Sequence, residues 1–264
     1  MTEYSVPLLL SSSSASGAFN VTTGKDAFDA YIERDVKIPN NAKQVTVEVN
    51  SASVWFTHYN ISASLANNLL YLDVSGDAVY TVTLEDGLYD LSSIAHAINV
   101  SLVNQGLTSN IITFTGDTAT NRVVINFSAA GLRIDFSAAN TCREILGFAS
   151  AVTPVAYTTA STSVYGASKA VFNHVDHFLI HSDVVSSGIP INGTFSNVIA
   201  RVLIDVSPGR MISYTPNEPI RVPAPELAGA NITKVHSSIT DQDNGTLDFN
   251  DEDWNYLLVI RYKM

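Results

Sequence analysis

The stretch from His177 to Val206, "HFLIHSDVVSSGIPINGTFSNVIARVLIDV", decides how the rest of the chain is interpreted. Two runs typical of β-strands flank a loop that contains Asp183, Pro190 and the pair Asn192–Gly193. Histidines and an aspartate crowd the first run. The stretch therefore fits either a metal or catalytic site, or a strand–loop–strand of a structural protein.

Strand geometry argues against a shared metal site. His177 and His181 would lie on one face of a strand but about 13 Å apart at about 3.3 Å per residue, and His174 would lie on the opposite face. The chain has no Gly-x-Ser-x-Gly elbow. A triad built from distant residues stays an alternative, because its members need not be sequential. We predict no catalytic, cofactor-binding or metal-binding residues, and interpret Asp183 and Asn192 as groups that order the loop by bonding local backbone.

Two acidic segments near the carboxyl end invite a calcium interpretation. They are "TDQDNGTLD" from Thr240 and "DFNDEDWNY" from Asp248. Neither has the ligand spacing of an EF-hand, and strands rather than helices flank them. Asp243–Asn244–Gly245 is instead a typical turn of a β-hairpin. We expect a solvated hairpin tip.

Composition limits the possible function classes. The 264 residues are 46% hydrophobic and 15% charged, with a formal net charge of −11. This suits one elaborate β-rich domain, or a domain that carries an insertion. No run of basic residues exists, so binding of nucleic acid through a basic face is not expected. No run of about 18 apolar residues predicts a membrane span.

The single cysteine and the start of the chain add two expectations. Cys142 cannot form a disulfide within one chain or build a cysteine zinc site, and a small apolar filler is its expected role. The first residues do not read as a secretory signal, and "SSSSASG" from Ser11 indicates a flexible loop or arm.

Hydrophobic periodicity divides the chain into three parts. In the first, Val45, Val47 and Val49 alternate with polar residues, which predicts a half-buried strand. From about residue 70 a strand is followed by an apolar stripe of helical spacing over 91–102, with Asp90 placed as its N-cap and Gly106 at its end. Three strands, expected to form one sheet, and a short helix over 140–148 follow. After a Ser/Thr-rich link, strand patterns return to the end of the chain.

Neither outer part has enough strands to close a sandwich alone. The simplest solution pairs residues 1–69 with 151–264 in one β-sandwich and treats 70–150 as an inserted α+β domain. The predicted fold class is therefore mainly β.

The order of motifs in the last part resembles a family of virus shell proteins. "FLIHSDVVSSGIPINGTFSNVIARVLIDVSPG" and the residues that follow it are similar to the carboxyl half of jelly-roll penton (vertex) or minor capsid proteins of Polinton-like viruses, virophages and adenovirus-like relatives. In Ser182–Val185 a valine stands where that family usually has leucine, and the hairpin at 241–245 has one extra residue. "YTVTLEDGLYDLSSIAHAINVSLVNQG" and "NTCREILGF" resemble a module inserted in viral capsid and fibre proteins.

The resemblance implies a single jelly roll and a role without catalysis. It implies a homo-oligomer, expected to be a pentamer, at the vertex of an icosahedral shell, with a neighbouring major capsid protein as partner. The inserted domain would be available to a host receptor. The protein would reside in the virion, which is assembled inside the host cell. Alternatives are a spike or host-attachment protein, a minor or major capsid protein of the same lineage, and a hydrolase or lyase that uses the histidine–aspartate group.

Overall fold

The computed structural model describes residues 1–173, 175–191 and 196–264, and every side chain among them except that of Arg34. These residues form 17 strands, two α-helices and two short 3₁₀ turns. All pairings between the named strands are antiparallel. The prediction of a mainly β protein is confirmed.

The elements fall into three consecutive groups along the chain. Six strands precede the first helix: β1 (Glu3–Ser11), β2 (Ala18–Phe19), β3 (Ala27–Lys37), β4 (Lys43–Trp55), β5 (Leu69–Val74) and β6 (Val79–Thr83). The middle group is α1 (Leu91–Asn104), β7 (Ile112–Asp117), β8 (Arg122–Phe127), β9 (Leu132–Asp135), α2 (Arg143–Leu146), β10 (Val152–Thr153) and β11 (Thr162–Tyr165). The last group is β12 (His177–Ser182), β13 (Val198–Leu203), β14 (Met211–Tyr214), β15 (Val222–Pro223), β16 (Asn231–Thr240) and β17 (Asn255–Lys263).

The chain divides into two compact units. Residues 1–58 and 175–264 form the first, here called the sandwich unit, and residues 59–174 form the second, here called the middle unit. The middle unit extends beyond 70–150 at both ends. The side-chain Nδ2 of Asn60 donates to the carbonyls of Tyr89, at 2.7 Å, and Phe172, at 2.8 Å, and β11 pairs with β8. These bonds bring both flanking segments into the middle unit.

The sandwich unit consists of two sheets. The first has the order β1-β17-β4-β14, with β15 also on β4, and the second has the order β13-β12-β16-β3-β2. Aromatic side chains fill the space between them. Phe28 meets Trp254 edge to face with ring centroids 5.1 Å apart, and the Tyr256 hydroxyl lies 2.7 Å from that of Ser237. All four side chains are fully buried, so burial of apolar surface stabilises this unit.

A β-bulge explains the pattern of β4. Val45, Val47 and Val49 face the core, as their alternation predicts. Opposite β17, Leu258 pairs with Val49 and Leu257 with Ser51, so Asn50 is the extra residue. The bulge moves the core face to Ala52 and the even positions that follow. One strand therefore keeps a single buried face although its sequence changes phase.

The middle unit holds two sheets of its own, ordered β10-β9-β5-β6 and β11-β8-β7. The predicted three-stranded sheet of β7, β8 and β9 is wrong, because β9 pairs with β5 and β10 instead. The predicted helix is confirmed as α1, whose Ile94, Ile98 and Leu102 are fully buried. Asp90 caps it by accepting from the Ser93 amide at 2.7 Å.

Two local predictions are wrong. The serine-rich segment 11–17 is not a flexible arm at its start, since Ser12 is fully buried and its hydroxyl accepts from the Trp254 amide at 2.9 Å. The turn at 243–245 closes only one bridge, between Thr240 and Thr246, and no strand follows it until β17. The residues after this turn leave the sheet, because β16 is already paired on both sides, with β12 and β3.

Candidate functional site

His181, the central histidine of the opening stretch, is fully engaged inside the sandwich unit. It lies on β12 with 8% exposure. Its Nδ1 lies 2.8 Å from Asn197 Oδ1 and its Nε2 lies 2.9 Å from Thr240 Oγ1. Both ring nitrogens thus have protein partners, and burial lowers the pKa of this imidazole. It is a structural histidine that joins β12 to Thr240 on β16 and to Asn197, the residue before β13.

Neither hydrogen-bond partner of the His181 ring is another member of the histidine–aspartate group. His177 stands at the start of β12, half-buried, and burial followed by the Arg201 charge lowers its pKa. Asp176 is exposed. His174 lies outside the described residues, as does Asn192.

Asp183 bonds to backbone groups, but not to those of its own loop, which the sequence predicted as its partners. Its Oδ1 accepts from the backbone amide of His236 at 2.8 Å, and its own amide donates to the His236 carbonyl. The bonds reach across to β16 rather than to the local loop. Asp183 therefore continues the β12–β16 pairing beyond the end of β12.

A second charged cluster lies on β3 and β16. The Asp29 carboxylate is 6% exposed and accepts from Asn20 Nδ2 at 2.8 Å; its Oδ1 lies 2.8 Å from His236 Nδ1, and Lys234 Nζ is 3.4 Å away. The Asn20 hydrogen bond is the largest cause that lowers the pKa of Asp29. The carboxylate is thus used to hold neighbouring strands together.

The acidic segments direct their carboxylates to the protein itself. Asp241 Oδ1 accepts from the amides of Asp243, at 2.8 Å, and Gly245, at 2.7 Å, which forms an Asx-type turn. In the other segment the Lys25 ammonium lies 3.0 Å from Asp253. Within the described ranges, no three histidine, cysteine or acidic side chains are placed to share a metal ion. Cys142 is completely buried, which raises the pKa of its thiol to about 12.

Glu48 is the charged residue that sequence reasoning missed. Alternation placed it on the polar face of β4, yet it is only 2% exposed. Arg261 binds its Oε1 with Nε at 2.8 Å and Nη2 at 2.7 Å, and Arg221 Nε lies 3.3 Å from its Oε2. Arg221 also reaches Glu3 on β1 at 3.4 Å. The network joins β1, β4, β17 and the segment before β15.

A cleft of about 600 Å³ lies over this network. The Asn50 side-chain oxygen at the bulge faces it, buried and without a hydrogen-bond partner among the described residues. The cleft carries charges of both signs and is lined by Glu48, Asn50, Pro216, Asn217, Glu218, Pro219, Arg221 and Arg261. Its arrangement suits polar contacts with another surface better than a reaction, since the carboxylate that is most buried is already neutralised by two guanidinium groups.

The large hydrophobic side chains that the sandwich unit exposes fall into two sets. The first, here called the β1 side, comprises Met1, Tyr4, Leu9 and Met264, on or beside β1, and Tyr31, on β3 of the other sheet. The second, here called the groove side, comprises Leu203, Met211 and Ile220. A groove of about 560 Å³ opens on the groove side, between β13 and β14. Exposed apolar patches of this kind mark contacts with other molecules.

Neither helix in the described part of the chain has the length and apolar run needed to cross a membrane. No protein-family model matches the chain, and no curated protein does. Solved structures do match it, among them two that are similar to it along almost their whole length.

The crystal structure of the mavirus penton protein has a TM-score of 0.50 and 11% identity, with 99% of this chain and 100% of that chain covered. A chain in the cryo-EM structure of the Sputnik virophage has a TM-score of 0.45 and 13% identity, with 97% of each chain covered. The first similarity shows that the mainly β fold described above is a penton-like fold.

Proposed function

We propose that this chain is a non-enzymatic structural protein of a virus shell, a penton capsid protein whose copies form rings of five at icosahedral vertices. The observation that carries the proposal is the similarity of fold to the mavirus penton protein over the full length of both chains. The motif order of residues 177–264 supports it independently, since that resemblance is read from the sequence. The virion is the expected location.

The proposed architecture is a single jelly roll that carries an insertion. The two five-stranded sheets of the sandwich unit supply the jelly roll, and the middle unit supplies the inserted α+β domain. The described residues hold one such pair of five-stranded sheets, and the similarity covers 100% of the mavirus penton protein chain. This favours a vertex protein over a major capsid protein with two jelly rolls.

We propose a role without catalysis because four polar side chains of the candidate sites are engaged in hydrogen bonds and ion pairs within the protein. His181, Asp183, Asp29 and Glu48 all bond to neighbouring strands. A catalytic group needs a free lone pair or proton directed at a substrate. Alanine variants of His177 and Asp183 that fold normally and lose no measurable hydrolase or lyase activity would agree with this.

The proposed partners are four further copies of the chain and a neighbouring major capsid protein. Light scattering on the purified protein tests the ring. We expect a mass of about 142 kDa, five times the 28.4 kDa of one chain, and fivefold rings in negative-stain images. A chain that stays monomeric at high concentration and never enters particles would contradict the proposal.

A host-attachment role of the middle unit is a second candidate function. Helix α1 contains no charged residue, and Val100 and Val103 are 41% and 40% exposed on it. A surface helix normally carries charges on its outer face, so an uncharged face favours contact with a host receptor. Purified protein should then compete with virus for adsorption, and a Val100→Glu variant should compete poorly. Equal competition by both proteins would argue against this role.

A further inference from the structure

We propose that, in the ring, the groove side of one copy receives the β1 side of the next copy, with Leu9 as the central docking side chain. This inference rests on the proposed ring and specifies which surfaces build it. Every large hydrophobic side chain that the described part of the sandwich unit exposes belongs to one of these two sides. Leu9, at 73% exposure, and Leu203, at 54%, are prominent members of each.

The two sides lie at opposite edges of the same unit. In the first sheet β1 is one edge strand and β14 the other. In the second sheet the corresponding edges are β2 and β13. Because β1 packs against β3, next to β2, and β13 packs against β4, next to β14, the edges of the two sheets coincide in pairs. One copy therefore offers two different surfaces that face away from each other.

Two different surfaces at opposite edges are what a closed ring requires. A twofold dimer uses one self-complementary patch, whereas head-to-tail contacts use a different patch on each partner and close into rings when the rotation allows it. A second copy of this chain is accordingly the occupant that the arrangement fits.

The charges of the two sides are complementary. Arg201 lines the groove and Arg210 precedes β14; both are exposed, and neither makes an ion pair with a described residue. Asp205 is the acidic side chain in the lining. The β1 side carries the exposed acid Glu33, whereas Glu3 is already paired with Arg221 of the same chain. Each copy has a net charge of −11, so two copies repel each other overall. Arg201 and Arg210 place positive charge on the side that the next copy approaches.

The backbone of β1 determines how the contact forms. Thr2 and Met264 exchange both backbone hydrogen bonds, and the register to β17 is continuous. Odd-numbered residues of β1 thus point their backbone groups away from β17. Pro7 is one of them and has no N–H, so it interrupts the row of donors that an added strand needs. The contact therefore uses side chains, with Leu9 entering the groove, rather than extension of the sheet.

Cross-linking in the full-length protein tests this contact. Cys142 is buried, so cysteines introduced by Leu9→Cys and Leu203→Cys are the reactive ones. With a flexible bismaleimide, we expect a ladder up to the pentamer when both substitutions are in one chain. Each single variant should stay monomeric on a denaturing gel, and a mixture of the two should give dimers only. Dimers from one single variant alone would overturn the head-to-tail contact.

Charge substitutions test the same contact without depending on the distance between the two introduced cysteines. Leu9→Lys and Leu203→Glu should each weaken self-association at least about 100-fold, because a charged group enters an apolar contact and the lysine also approaches Arg201 in the groove. Val155→Glu, at a position 84% exposed in the middle unit, is the control and should assemble like the wild type. If both test variants self-associate as strongly as the wild type, the proposed contact is wrong, and the proposed ring is unaffected. A monomeric wild type would overturn the ring itself.

Discussion

Replacement of Glu48 by glutamine should destabilise the sandwich unit far more than its place on an alternating strand suggests. Glu48 is 2% exposed, and removal of its charge leaves Arg261, at 26% side-chain exposure, without a counter-ion. Loss of one partner from a buried pair costs about 3–5 kcal/mol. Arg261 retains some contact with water, so we expect about 3 kcal/mol for Glu48→Gln. At about 2–4 °C per kcal/mol for chains of this size, the melting temperature should fall by about 6–12 °C.

Substitution of the partner arginine should lower the free energy of unfolding further. Arg261→Met leaves a carboxylate in the interior with only Arg221, whose closest contact to it is 3.3 Å. We expect about 4 kcal/mol for this variant. The double variant Glu48→Met/Arg261→Met removes both charges and should cost well under the sum of the single changes, since no isolated charge is left.

Urea unfolding followed by tryptophan fluorescence measures these free energies, because Trp254 lies in the core of the same unit. Asp253→Asn is the matched control in the same unit. The Asp253 side chain is 42% exposed and 3.0 Å from Lys25, and exposed pairs contribute about 0.2–1 kcal/mol. Glu48→Gln unfolding at the wild-type urea concentration, or strictly additive effects in the double variant, would refute the reasoning.

Three further outcomes follow from single groups. Asp90→Ala removes the cap of α1 and should cost about 1 kcal/mol in the middle unit, measured by thermal denaturation; an unchanged melting temperature would contradict the capping role. Burial lowers the folded pKa of His181, so below about pH 6.5 the unfolded chain binds a proton that the folded chain resists. The free energy of unfolding should therefore decrease as pH falls through that range, and the decrease should be smaller in His181→Gln; an equal decrease in both proteins would show that other groups cause it. With a thiol pKa of about 12, Cys142 should react with a thiol reagent at pH 8 only as fast as the middle unit opens; rapid labelling of the folded protein would exclude its burial.

Local signals in the sequence predicted most long elements. The stripe over 91–102 and its cap at Asp90 determine α1, because the residues that form the helix and its first turn are neighbours in the chain. Strands β16 and β17 confirm the strand patterns predicted for the last part of the chain. The strand predicted for the opening stretch is confirmed as β12, which carries both His177 and His181.

The elements that escaped prediction are those whose partners are remote. Strand β1 contains Pro7 and only a short apolar run, and it forms because residues 255–263 pair with it from the other end of the chain. Strand β11 lies in a Ser/Thr-rich segment that reads as a link, and β8 makes it a strand. The burial of Glu48 depends on Arg261, which is distant in sequence.

The sequence by itself determined the mainly β class, the helix, and the motif order that resembles penton proteins. These features follow from the period of side chains along one strand or helix. Tertiary structure alone decided which strands are neighbours, which charges are buried, and that exposed apolar side chains gather at two opposite edges. Such features depend on contacts between residues far apart in the chain, and no local pattern encodes which distant segment will supply the partner.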